Sequence, residues 1–265
     1  MGHGKLRKFA ENETFSCLLQ PEASEVLVKS SEESGIRLND HPVKGHWNER
    51  MFASDQPIVL ELGCGRGEYT IDLARRVPEC NYIGVDIKGA RLWNGAKHAT
   101  EHDLGNVAFL RTRIEFIEAF FAPGEVSEIW LTFSDPQLKS ENKRLTSPLF
   151  LERYRKFLKP GGIIHLKTDS RFLHEYSMAV AEENNLTVLA STTDLYGAAS
   201  LDISEKDSAL YEVQTFYERM FLKQGYKITY MAFTIDHEGQ YKSPDSFDSD
   251  HWRSVEGPRH FIQNA

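Results

Sequence analysis

Four carboxylates and one cluster of glycines carry the residue types that could do chemistry in this chain. Glu61-Leu62-Gly63-Cys64-Gly65-Arg66-Gly67 is the strongest local signal. Gly63, Gly65 and Gly67 allow a tight backbone turn and a close approach to a ligand. The spacing is GxGxG, not the GxGxxG of dinucleotide enzymes, and no Lys-Ser/Thr follows as in a phosphate-binding P-loop. Asp86 falls where the next strand would end, a place from which an acid accepts hydrogen bonds from two ribose hydroxyls. Asp135 stands in Phe133-Ser134-Asp135-Pro136-Gln137-Leu138-Lys139, where Asp-Pro also serves as a turn starter. Asp169 precedes Ser170 and a helical pattern, so either residue is a candidate helix cap. No Ser-His-Asp or Cys-His arrangement is evident. Cys64 reads as a small side chain under close packing rather than a nucleophile.

Scattered residues of this kind need a scaffold that brings them to one rim. Residues 57–62 (PIVLEL) form a short continuous apolar run, as expected of a strand buried on both faces. Further strands are expected at 81–86, Val107–Arg111, Glu128–Phe133, Ile163–Lys167, Thr187–Ser191 and Tyr226–Ile235. Helices are expected over Tyr69–Val77, Lys88–His102, Ile114–Phe121, Pro148–Leu158, Phe172–Asn184 and Gln214–Gln224, with Lys159-Pro160-Gly161-Gly162 as a helix stop. Strands alternating with helices imply an α/β, Rossmann-like, doubly wound and mostly parallel sheet with helices on both faces. The last strand is expected to run antiparallel. Ligands of such sheets sit beyond the C-terminal strand ends. That places 61–67, Asp86, 111–113, 134–139 and 168–170 along one edge.

The chain has 265 residues, enough for a sizeable core. Composition divides it into a polar segment 1–56, partly mobile and a candidate lid, a catalytic domain 57–235, and a polar tail 236–265. The tail carries six acidic against three basic residues and is expected to be disordered. Cysteines number 3, too few for a disulfide framework, and the N-terminus lacks the apolar stretch of a signal peptide. No run approaches membrane-spanning length. A cytoplasmic location without membrane attachment is therefore expected. Net charge is −8, which on its face argues against a nucleic-acid partner. Charge is unevenly spread, however: residues 139–159 hold seven basic and two acidic residues, and residues 88–113 hold five and two. A local basic face making a few phosphate contacts is the expectation that follows.

The glycine loop with Glu61 and Asp86 reads as a site for S-adenosylmethionine (SAM), which presents an amino-acid end and an adenosine without a pyrophosphate. Another nucleotide, or a turn with no ligand, remain the alternatives. The motifs in order are Glu61–Gly67, Gly84-Val85-Asp86, Thr132–Pro136, Lys143–Thr146, His165–Asp169 and Thr215-Phe216-Tyr217-Glu218. Together they are similar to the tRNA (guanine-N7-)-methyltransferase family, over roughly 57–235. That resemblance implies a class I SAM-dependent fold and methyl transfer to a tRNA guanosine, at position 46 of the variable loop. It also implies SAM contacts from Glu61, Gly63, Gly65, Gly67, Asp86, Arg113 and Asp135, with Asp135 as the catalytic acid. Lys139, Asp169, Thr215, Phe216, Tyr217 and Glu218 would hold the guanosine. Gln137 stands where the family usually has Trp, and Arg113 where an Asp or Asn is expected at the adenine.

The chemistry suits such a site. Guanine N7 carries an exposed lone pair and needs no deprotonation before attacking a sulfonium methyl. Alignment is then the main demand, and a carboxylate near the ring would stabilise the cation that forms. Two other functions compete: a SAM enzyme acting on a small molecule or protein, and a non-catalytic RNA-binding relative. No metal is expected: His98 and His102 share a helix face but lack further ligands. His165 reads as a core histidine. Trp47 is either a base-stacking residue or a loop anchor. Glu218, apart from the resemblance, reads as a surface acid. Monomer and homodimer are both open.

Overall fold

In the computed structural model, residues 3–29, 36–197 and 209–256 are described. The elements in chain order are α1 (His3–Asn12), β1 (Leu18–Leu19), α2 (Ala23–Val26), β2 (Leu27–Lys29), β3 (Ile36–Leu38), α3 (Trp47–Met51), β4 (Ile58–Leu62), α4 (Glu68–Arg76), β5 (Asn81–Asp86), α5 (Gly89–Glu101) and β6 (Val107–Arg111). Then follow β7 (Val126–Thr132), α6 (Pro148–Tyr154), β8 (Leu158–Thr168), α7 (Arg171–Glu183), β9 (Val188–Thr192), α8 (Ala209–Glu212), α9 (Phe216–Lys223), β10 (Thr229–Thr234) and α10 (Ser249–Glu256). Short 3-10 helices occupy Ile114–Ala119 and Glu141–Lys143.

The main sheet has the order β1-β6-β5-β4-β7-β8-β10-β9. All neighbouring pairs are parallel except that β10 runs antiparallel to both β8 and β9. This is the doubly wound sheet expected from the alternating pattern, with its antiparallel last strand. Strand order reverses between β4 and β7, so the loops after those two strands flank the crevice where such folds bind ligands. The central strands β4 and β5 are buried along their whole length, and the sheet feeds two apolar clusters. In β4, Ile58, Leu60 and Leu62 join one cluster and Val59 the other; in β6, Ala108 and Leu110 oppose Val107 and Phe109.

The described parts of the flanks are more ordered than their composition suggests. Before residue 57, described segments are docked on the domain. Leu18 and Leu19 add a parallel strand beside β6, and α1 packs on α5 through Asn12 Nδ2 to Gly89 O at 3.0 Å and Trp93 Nε1 to Glu11 Oε2 at 2.6 Å. Trp47 is a core anchor, fully buried, donating to Phe120 O at 2.8 Å and stacked on Phe121. Residues 236–256 are also docked. Tyr241 N donates to Glu152, Asn184 Nδ2 donates to Lys242 O, and Phe247 sits edge-on to Phe172 and Tyr176. A few aromatic anchors and backbone bonds suffice where the average composition suggests disorder. Residues 257–265 lie outside the described residues. Finally, α6 ends at Tyr154, and Lys159–Gly162 forms the irregular start of β8, with Gly161 at φ +70° donating to Asp236.

Phe109 is the packing centre under the site. A Cβ at Gly95 would come 2.4 Å from Phe109 Cζ and 3.0 Å from Arg66 O. Gly95→Ala is therefore expected to destabilise by about 1–3 kcal/mol through overpacking, read as a lower midpoint in urea unfolding. A midpoint equal to that of the parent protein would show that the ring moves aside freely.

Candidate active site

β4 delivers the chain into the glycine loop at the switch point. Gly63, Gly65 and Gly67 have φ of +82°, +58° and +73°, in the left-handed region that favours glycine. The loop is pinned to β5: Gly63 N and Cys64 N donate to Val85 O at 2.8 and 3.0 Å, and Gly65 N donates to Asp86 Oδ2 at 3.1 Å. Asp86 Oδ1 accepts from Lys88 N at 2.7 Å. The Asp86 carboxylate thus locks the loop while standing on the cleft wall. A Cβ at Gly63 or Gly65 would meet nothing within 4 Å, whereas one at Gly67 would strike Phe109 at 2.5 Å. The first two glycines leave open room for a ligand. Gly67 serves packing and the start of α4.

Glu61 is 3% exposed. Its Oε2 accepts from Thr70 N at 2.9 Å and from the Thr70 hydroxyl, and Oε1 accepts from the Thr132 hydroxyl. Burial outweighs these bonds and pushes its pKa up to about 7. The Cys64 thiol is buried and its pKa is raised well above the ordinary value, which makes it a poor nucleophile.

A cleft of about 630 Å³ opens above these strand ends, within the range of small-molecule sites. Glu61, Gly63, Gly65, Asp86, Arg113, Asp135, Asp169, Thr215, Phe216 and Tyr217 all line it. Three expected residues do not: Gly67 lies behind the loop, Lys139 points to solvent, and Glu218 faces the interior. Lys143 takes the lining place expected of Lys139. Arg66, Arg91 and Thr112 also line the cleft without having been singled out. Arg66 lay inside the glycine motif, and Thr112 beside Arg113, but nothing in residue spacing distinguishes a lining side chain from its neighbours.

The loop after β7 is strained. Phe133 and Gln137 have φ of +51° and +48°, costly for residues with side chains. Between them Asp135 is exposed, and its Oδ1 accepts from Gln137 N at 2.9 Å, so the turn geometry and the cleft position coexist. The Ser134 hydroxyl is shielded from solvent with no partner among the described residues. Leu138 O accepts from Arg253 Nε at 2.9 Å and from Arg144 Nη2 at 3.4 Å. Ser170, rather than Asp169, caps α7 by accepting from Leu173 N at 3.1 Å. Asp169 is thereby left on the cleft wall.

Glu218 is corrected from a guanosine contact, or a surface acid, to a buried partner. It and Lys167 are both 0% exposed and pair at 2.8 Å. Lys167 Nζ also donates to Leu210 O at 2.7 Å and Val213 O at 3.0 Å. Burial pulls the Lys167 pKa down, opposed by the Glu218 charge. Glu218 Oε1 accepts from Tyr196 OH at 2.6 Å, and its side chain completes a capping box with Thr215. That box fixes Thr215–Tyr217 at the cleft rim, where Phe216 N donates to Glu68 Oε2 at 2.8 Å and Arg66 lies over the Phe216 ring.

The basic block 139–159 is largely neutralised. Arg144 is buried between the Phe172 and Tyr176 rings. Arg153 and Lys156 pair with Glu118, and Arg155 pairs with Glu152. His165 is a core residue, bonded to Tyr230 OH at 2.8 Å and stacked on Trp130. Among the described residues, no group of three or more His, Cys, Asp or Glu could hold a metal, and no helix is long and apolar enough to cross a membrane.

A doubly wound sheet, a GxGxG loop at its switch point, an acid ending the next strand and open room over Gly63 and Gly65 define the site of a SAM-dependent methyltransferase. Residues 55–231 match a family model described as "Putative methyltransferase". A protein of Bacteroides thetaiotaomicron named tRNA (guanine-N(7)-)-methyltransferase is 48% identical over 96% of this chain and 95% of its own. One of the same name from Porphyromonas gingivalis is 47% identical over 88% of this chain and 92% of its own. The crystal structure of the 16S rRNA methyltransferase KamB has a TM-score of 0.50 at 15% identity, over 68% of this chain and 87% of that one, a likeness of fold alone. The chain belongs to the tRNA (guanine-N7-)-methyltransferase family.

Two outcomes follow from the buried acids. Lys167→Met strands the Glu218 charge and should cost about 3–5 kcal/mol, most of it recovered in Lys167→Met/Glu218→Leu; urea unfolding of the three proteins measures this. A single variant as stable as the parent would remove the pair from its structural role. Glu61 has a folded pKa raised above its unfolded value, so its contribution is fully present below pH 4.5 and is lost as pH rises through about 7. Glu61→Gln should therefore gain stability relative to the parent, on the order of 3 kcal/mol, between those limits. A constant difference across that window would contradict it.

Proposed function

We propose that this protein transfers a methyl group from SAM to N7 of a guanosine in the variable loop of tRNA, in the cytoplasm. The observation that carries the reading is that Asp135, Asp169 and Thr215–Tyr217 line the same cleft as the glycine loop. The names of the relatives support the substrate. SAM, when bound, supplies an electrophilic methyl on a sulfonium. Asp86 would suit a ribose and Gly63 and Gly65 a closely approaching ligand backbone, while Thr112 and Arg113, just past the end of β6, would be available to the adenosine. Glu61 holds the loop from beneath through Thr70 and Thr132.

N7 needs no base, so the residues of the cleft act by position and charge. Asp135 and Asp169 orient the guanine and stabilise the positive charge that grows on its ring during in-line attack. A carboxylate at this rim can accept from N1–H or the exocyclic amine of guanine, which selects guanine over adenine. Lys143 is the cation that lines the cleft in place of Lys139.

Labelled SAM and unmodified tRNA should yield labelled 7-methylguanosine. Asp135→Ala should lower turnover by about 100-fold or more, in the range seen when one charge-stabilising group is removed, with SAM binding and the unfolding midpoint retained. Label in adenine or cytosine would refute the substrate, and parent-like turnover by folded Asp135→Ala would refute its role.

A further inference from the structure

A tRNA enzyme must hold phosphates, yet the block richest in cations spends four of its seven on internal partners: buried Arg144, and Arg153, Arg155 and Lys156 in ion pairs. Three exposed guanidinium groups without an ion pair among the described residues, Arg66, Arg75 and Arg219, gather at a second groove, where Arg219 Nη1 donates to Gln214 O at 2.6 Å and leaves its remaining donors open. This groove of about 370 Å³ runs between α4 and α5 and is closed by the start of α9. Glu68, Asp72 and Arg75 present one face of α4 to it, spaced by one helical turn, while Asn94 and His98 present one face of α5. Arg66 and Arg219 complete its wall.

The electrostatics favour an anion. Arg66, Arg75 and Arg219 are exposed, and none has an ion-pair partner among the described residues. Adjacent Arg76 differs, since Glu212 neutralises it. Of the two acids in the groove, Glu68 is engaged by Phe216 N. The Nε2 of His98 is shielded from solvent and has no partner among the described residues. Guanidinium groups match phosphate oxygens with paired donors and are favoured where a phosphodiester must be recognised. The groove also continues into the catalytic cleft, because Arg66 and Glu68 line both.

We propose that this groove is a phosphate subsite that seats the RNA backbone beside the methylated guanosine, with Arg75 and Arg219 as its principal contacts. The inference rests on the tRNA reading above. The base would enter the cleft between Asp135 and Tyr217, and the flanking backbone would cross Arg66 into the groove. Phosphodiesters supply this partner without reference to base sequence.

The test compares parent, Arg75→Glu, Arg219→Glu and Lys159→Glu proteins for tRNA binding across a salt series, SAM affinity and steady-state methylation. Each arginine variant should weaken tRNA binding by about tenfold and lower the log–log salt slope by about one. KM for tRNA should rise with little change in kcat, and SAM affinity should stay within about twofold. Lys159→Glu, on the far side, should match the parent. 7-Methylguanosine formation by the parent, with unaltered tRNA affinity and slope in both arginine variants, overturns the subsite alone. Failure of the parent to methylate tRNA overturns the functional reading and the subsite with it.

Discussion

Lys167 is a cation at zero exposure in the middle of an apolar sheet, and the cleft depends on how it is held. An ammonium has three donors and each needs an acceptor when water is excluded. Here Leu210 O, Val213 O and Glu218 Oε1 supply all three. Two come from the segment around α8 and one from α9, so the charge can be satisfied only when that segment folds onto β8. Glu218 in turn caps α9 and accepts from Tyr196. One buried pair thereby sets the position of Thr215–Tyr217, while the strand that carries Lys167 ends at Thr168, directly before Asp169. Replacing such a pair by apolar groups is often neutral for stability. Here the pair also ties α9 and the segment around α8 to β8, so that elements carrying parts of the site are joined.

The opposite wall is held in a different way. The loop from Phe133 to Gln137 carries two residues at positive φ, a conformation that persists only when its surroundings over-determine it. Phe133 N donates to Lys167 O, Asp135 accepts from Gln137 N, and two guanidinium groups converge on Leu138 O. Arg253 belongs to α10, which also places the Glu256 carboxylate on Phe172 N at the start of α7. The C-terminal helix thus bridges the loop bearing Asp135 and the turn bearing Asp169. Strain at one carboxylate is restrained by a segment far away in sequence.

This bridging explains which features were legible in the sequence. The apolar runs of β4, β5 and β6 need only their own side chains to announce a doubly buried strand, and β5 and β6 start and stop where the pattern placed them. The glycines at 63, 65 and 67 report a local backbone requirement. Asp86 and Asp135 follow from strand ends. The docked tail was illegible because its anchors are isolated residues, such as Tyr241 and Phe247, in a polar background. Glu218 was misplaced because a helical position shows periodicity but not which neighbour fills the space behind it. The basic block misled in the same way: the acid that neutralises Arg153 and Lys156 is Glu118, more than thirty positions away. Composition counts charges, whereas recognition depends on the ones left unpaired.

The most perturbed acid at the site is not the one assigned to chemistry. Glu61 has a pKa near 7, a value that elsewhere marks a proton-transfer residue. Its two oxygens are occupied by Thr70 and Thr132, and it lies beneath the glycine loop rather than over the rim. Attack by guanine N7 releases no proton in the bond-forming step, so a tuned base there would have no task. The shift is instead the consequence of placing an acid where it must brace a loop from within the core. An acid at the rim has the opposite requirement, to meet a cation that exists only as the methyl is transferred. In the proposed reaction Asp135 and Asp169 are the acids assigned to meet that charge, and the strained loop of the one and the capped helix start beside the other hold both on the cleft wall.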